Sequence, residues 1–159
     1  MHLDGISHSR FEKFFRDFYG DDELVLPKIH IYSRRVSLLV TTVLKVNGIT
    51  IGRHIFIHPQ FTKRDEQNRL YAPKALIAHE LTHSVQYARQ GFFGFLKTYL
   101  GAFWKLLRKS KKWDSQTRME AYLDIPQEIE ARRAAKVFIS QADEIILPPD
   151  ITTKNESEN

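Results

Sequence analysis

Apolar residues recur along the chain in two periods, and the switches between them outline the elements. Phe11, Phe14, Phe15 and Phe18 repeat at the spacing of one helix face. Ser9 and Glu12 have capping-box spacing and Gly20 offers a stop, so the pattern predicts a core-facing helix between them. Residues 21–27 read as a connector. Residues 28–33 set Ile29 and Ile31 against polar neighbours, and residues 49–58 alternate Ile49, Ile51, Ile55 and Ile57; both patterns predict strands. Asn47-Gly48 marks a turn ahead of the second strand, and Pro59 ends it. Gly52 inside it marks a bulge or a close backbone approach. Residues 36–46 fit both periods. Val36, Leu39, Val40, Val43 and Leu44 make a helix face, whereas Val36, Leu38, Val40, Leu44 and Val46 suit a strand, which β-branched content favours only weakly.

The second half reads as helical. Residues 61–71 are polar and charged, a loop. Pro73 is placed as a first helical residue, the pattern runs to Gln90, and Gly91 suits the cap. A second helix covers 92–108, a break 110–115, and a third helix 116–122. Pro126 opens a fourth to about Ala142, with Ile129, Ala134, Val137 and Phe138 as its buried part. Pro148-Pro149 closes the ordered part, and 151–159 is expected to be a disordered polar tail. The expected architecture is a single α+β domain over 1–150: a small N-terminal sheet packed on the helix from Pro73, with further helices after it.

Composition narrows the function. The chain has 159 residues, 42% of them hydrophobic and 12% aromatic, enough to build one core. It has no cysteine, which excludes a disulfide framework, a Cys-ligated zinc finger, an iron–sulfur site and a Cys nucleophile. The net charge of +5 favours acidic surfaces without naming a partner. No apolar run approaches the roughly 18 residues of a membrane span. Residues 1–11 hold no apolar leader segment, so a cytoplasmic location is expected.

One motif carries chemistry. His79-Glu80-Leu81-Thr82-His83 is an HExxH inside the helical stretch. Two histidines four apart sit about 40° apart on a helix, so both imidazoles can reach one metal ion. Glu80 beside them can take a proton from an attacking water. Chance yields this pentapeptide in roughly one chain in a few hundred of average composition, and does not set it among Leu76, Ile77, Leu81 and Val85. A third histidine is absent downstream, and Gln86 and Arg89 stand where the longer HExxHxxGxxH motif needs Gly and His. A carboxylate on a later helix remains, with Asp114, Glu120, Asp124, Glu128 and Glu130 as the first candidates. A glutamate at a helix start also complements the helix dipole, which accounts for at least one of Glu128 and Glu130.

The HExxH followed by Gln127-Glu128-Ile129-Glu130-Ala131 resembles the gluzincin zinc peptidases, the clan of thermolysin and related aminopeptidases. More closely, the strand 49–57 with its Gly and the pattern His-Glu-Leu-Thr-His-x-x-Gln over 79–86 resemble small bacterial minigluzincin-like domains. The resemblance covers about 49–136. It implies a zincin-like fold and a zinc ion on His79, His83 and Glu128, with Glu130 in reserve. It also implies Glu80 as general base and a peptide or protein substrate pairing with the 49–57 strand. Tyr122 is the candidate transition-state stabiliser; an ordinary core tyrosine is the plain alternative. The clan's Asp four residues after the glutamate ligand, which orients the first histidine, is replaced by Arg132, so that support must come from elsewhere.

Residues 92–112 form a wide aromatic stripe (Phe92, Phe93, Phe95, Tyr99, Phe103, Trp104) interleaved with Lys97, Lys105, Arg108, Lys109, Lys111 and Lys112 and no acid. A helix packed on the HExxH helix is the expected reading; peripheral membrane contact, a lid over the cleft and partner binding are alternatives. No nucleic-acid motif is present, so no nucleic acid is expected as partner. The competing functional readings are a zinc-stabilised, catalytically weak binding module, and a domain whose histidines are structural.

Overall fold

The phenylalanine spacing does form a helix, α1 (Gly5–Tyr19), but it starts ahead of Ser9. Ser9 is therefore inside the helix and caps nothing. Glu12 instead ties the following connector down: its carboxylate accepts from Leu26 N–H at 3.0 Å and pairs with Arg16 at 3.0 Å. Gly20 takes the left-handed backbone at φ 61°, and Asp21 N–H reaches back to Arg16 O, which closes the helix as a Schellman end. The computed structural model describes residues 3, 5–33, 35–44, 46–64, 66, 70–109 and 114–144. The expected domain end near 150, the tail 151–159, and Lys111 and Lys112 of the basic run lie outside them.

Strand β1 (His30–Tyr32) pairs in parallel with β3 (His54–Ile57), and β2 (Gly48–Ile51) pairs antiparallel with β3 at the sheet edge. The expected long strand over 49–58 is thus a hairpin. Its turn is Gly52-Arg53, with Gly52 at φ 60°, rather than Asn47-Gly48; Gly48 is already the first residue of β2. Gly52 is a turn residue, not a bulge. The ambiguous stretch is helix α2 (Arg35–Leu44). Its buried positions include Ser37 and Thr41, and Leu39 of the expected apolar face is 66% exposed. The Thr41 hydroxyl is satisfied by Ser37 O at 2.6 Å. The expected loop 61–71 contains a second short hairpin, β4 (Lys63–Arg64) with β5 (Leu70–Tyr71).

Four helices follow: α3 (Lys74–Gln90), α4 (Phe92–Lys109), α5 (Ser115–Leu123) and α6 (Pro126–Glu144). Pro73 is the N-cap of α3 rather than its first helical residue, and Gly91 sits at its C-terminus at φ 73°. The architecture is α+β. Helix α3 is the pivot. It packs against β2 and β3 on one side, along α6 on another, and against α4. The main core joins Phe11, Phe14 and Phe15 of α1 to Ile55 and Ile57 of β3, Leu81 and Val85 of α3, and Ala134 and Phe138 of α6. Phe11 stacks on Phe138 at 4.4 Å between ring centres. Among the described residues, no helix is long and apolar enough to cross a membrane.

Candidate metal centre

The i, i+4 spacing on α3 stacks the two histidines as the helix geometry requires. His79 Nε2 and His83 Nε2 are 3.3 Å apart. Helix α6 brings Glu128 to the same point: Oε2 lies 3.2 Å from His79 Nε2, and Oε1 lies 3.3 Å from His83 Nε2. Ligand atoms at 2.0–2.1 Å from a tetrahedral ion sit about 3.3–3.4 Å from one another, and each separation in this triangle of residues is of that size, with His79 facing one carboxylate oxygen and His83 the other. Glu128 is almost fully buried, and among the described residues its Oε2 faces only the His79 Nε2 at 3.2 Å, with no hydrogen bond of good geometry. A buried carboxylate oxygen without a donor is costly unless a cation faces it. The donor set of two imidazoles and a carboxylate therefore fits a metal ion, and these three residues are the ones brought together.

The protein holds two of the three ligands, His83 and Glu128, in place. His83 Nδ1 lies 2.9 Å from Gln86 Oε1, an acceptor, so its proton sits on Nδ1 and Nε2 is free as a lone pair toward the triangle. Gln86 is fixed in turn by donating to Gln127 O at 3.2 Å and to Glu130 Oε2 at 3.1 Å. Glu130 is thereby engaged away from the triangle by Gln86, and its charge, after burial, pushes the nearby Tyr19 phenol pKa up. Tyr99 of α4 donates to Glu128 Oε1 at 2.8 Å. Burial works to raise the Glu128 carboxyl, but the closeness of His79 and His83 outweighs it and holds it well below the usual carboxylate range. Burial works to lower the His83 imidazole, and Glu128 outweighs that too, so its pKa is raised.

Glu80, about 100° further round α3 than His79, faces the edge strand β2. Thr50 of β2 donates to Glu80 Oε2 at 2.7 Å, and Gly48 comes so close that a side chain there would collide with Oε1. Burial raises the Glu80 pKa; the two histidines and Thr50 offset part of that. His79 and Glu80 both line a cleft of about 1100 Å³, bounded by Gly48, Phe103, Arg118 and Tyr122 among others. Tyr122 of α5 therefore faces this cleft, beside Glu128; its phenol pKa is pushed up by burial and then by that charge. Arg132 donates to Leu123 O and lines the same cleft.

Sequence reasoning missed three supports. Thr50 and Tyr99 carry no local signal, because their partners are far along the chain. Gln86 closes the HELTHxxQ pattern, but its spacing from His83 points to a role only once the helix is known to be buried there.

The fold and this site define an α+β domain built around a two-histidine, one-glutamate group able to hold a metal ion. The chain belongs to the eCIS core domain family, whose model matches residues 9–91, just over half of it. The match runs from α1 through the HExxH helix and stops before α4, α5 and α6, which supply Tyr99, Tyr122 and Glu128. None of the curated proteins and none of the solved structures compared with the chain matches it. The family description names no peptidase, so the gluzincin resemblance rests on the residues of the site.

Proposed function

We propose that the chain is a zinc-dependent peptidase of the gluzincin type. The observation that carries this is the coincidence of two features at one cleft: the His79, His83, Glu128 triangle, and a buried Glu80 beside it. A zinc ion in the triangle would supply Lewis acidity to a scissile carbonyl and to its water. Glu80 accepts the proton of the attacking water and delivers it to the leaving nitrogen. Its raised pKa brings it closer to the working range of a general base. Thr50 and the close backbone at Gly48 keep the carboxylate in one position. Strand β2 is an edge strand of the sheet, and Gly48 on it lines the cleft, so an extended peptide can add alongside it. Tyr122 presents a protonated phenol to the same cleft, as a donor for oxygen charge that develops during hydrolysis.

The test begins with metal content by mass spectrometry. The purified protein carries about one zinc per chain, lost in Glu128→Ala and kept in Glu130→Ala. Glu80→Gln keeps the zinc and cleaves none of the peptides that the parent chain cleaves in a broad screen. Normal hydrolysis by Glu80→Gln overturns the mechanism. A competing reading is a metal-stabilised binding module, favoured by the exposed aromatic and cationic outer face of α4. Full zinc occupancy with no cleavage anywhere in the screen would select it.

A further inference from the structure

Helix α4 has two unlike faces. The inner one serves the metal centre: Phe95 packs on His83, and Tyr99 donates to Glu128. The outer one holds Phe93, 82% exposed, with Leu100 at 45% and Trp104 at 48%. By helix geometry these three fall within about 40° of one another and form a stripe about 16 Å long. Lys97, Arg108 and Lys105, all exposed, follow in that order around the helix on one side of the stripe. The helix carries Lys97, Lys105, Arg108 and Lys109 and no acid. Gly101 has open space where a side chain would stand, which leaves a recess bordered by Trp104, Lys105 and Arg108.

We propose that this outer face docks the protein on an anionic lipid surface, with α4 lying in the interface. Apolar stripe beside cationic band is the order of depth in a bilayer surface, acyl chains beneath phosphates. Phe93, Leu100 and Trp104 enter the apolar boundary, while the lysines and Arg108 meet headgroup phosphates, one of them at the Gly101 recess. The complementarity is of charge as well as shape, because four cations without an acid on one helix select anionic over zwitterionic lipid. Docking by this face leaves the inner face, and with it the Tyr99 contact to Glu128, in place. It does not depend on turnover.

The experiment is co-sedimentation of the full chain with vesicles of phosphatidylcholine containing a quarter phosphatidylserine, beside pure phosphatidylcholine. A Trp113→Phe background leaves Trp104 as the reporter. The expected result is binding to the anionic vesicles, a blue shift of Trp104 emission, and weakening by added salt. Lys97→Glu, Lys105→Glu and Arg108→Glu together lower binding about a hundredfold or more, as loss of about fivefold per cation implies. Phe93→Ser with Trp104→Ser lowers it as well, and both variants keep the parent circular dichroism spectrum. Absence of binding to anionic vesicles at low salt overturns the proposal. So does binding that these substitutions leave unchanged. A dimer in light scattering that dissociates on Trp104→Ser also overturns it, by assigning the face to a second copy.

Discussion

A methyl group on Gly48 would sit 2.6 Å from Glu80 Oε1. Thr50 holds the other carboxylate oxygen, and the side chain is almost wholly buried, so Glu80 has little room to yield. Gly48→Ala is therefore expected to cost about 1–3 kcal/mol, as overpacking of a tight interior does, read as a lower midpoint in urea unfolding. Unchanged stability would show that Glu80 relaxes freely. A second residue-level expectation concerns Gln86. With Gln86→Leu, His83 Nδ1 loses its acceptor and the imidazole its orientation. Zinc affinity then falls about 10–100-fold in competition with a chelator, the usual cost of removing such a support. Retained affinity in a folded variant would deny Gln86 that role. The glycine at 48 was legible in the sequence only as half of a turn signal. Its actual constraint, a carboxylate from a helix far along the chain, has no local trace.

The pairing of α3 with α6 makes the site from two elements, and small residues permit it. Ala78 on α3 and Ala134 on α6 are fully buried in the same core as Leu81 and Val85. Ala134→Leu is expected to destabilise by about 1–3 kcal/mol and, by displacing α6, to weaken zinc binding too. Phe138→Ala, further along α6 and stacked on Phe11, is expected to cost about 3–5 kcal/mol while zinc stoichiometry stays the same. Denaturant curves beside metal content separate the two, and equal effects on zinc would refute the distinction. At this scale the strongly periodic helices α1, α3, α4 and α6 could be read from the pattern. Helix α2 could not, because its pattern fits both periods, Ser37 and Thr41 are among its buried positions, and Leu38 and Leu39 are exposed. The 49–58 segment reads as one strand in the sequence because a two-residue turn barely interrupts the alternation.

For the molecule as a whole, a metal that binds only the folded triangle stabilises the fold by mass action. At about 100 times its dissociation constant the gain is about 2.7 kcal/mol. For a chain of this size that corresponds to roughly 5–10 °C in Tm. Scanning calorimetry with zinc and with chelator should show this shift in the parent chain and none in His83→Ala; an equal shift in both would place the metal elsewhere. The sequence by itself determined the two-histidine pair and its neighbouring glutamate, since i, i+4 geometry belongs to any helix. It also placed Phe11, Phe14 and Phe15 of α1 and Ala134 and Phe138 of α6 on buried faces, but not Ile129, which the pattern assigns to the buried part of α6 and which is 50% exposed. Only the tertiary structure chose Glu128 over Glu130, two residues apart and so about 200° apart around α6. That choice depends on how α6 is rotated against α3, which no local pattern encodes. The same holds for Thr50, Tyr99 and Tyr122: each reaches the site across a packing contact between elements, and packing is a property of the whole fold.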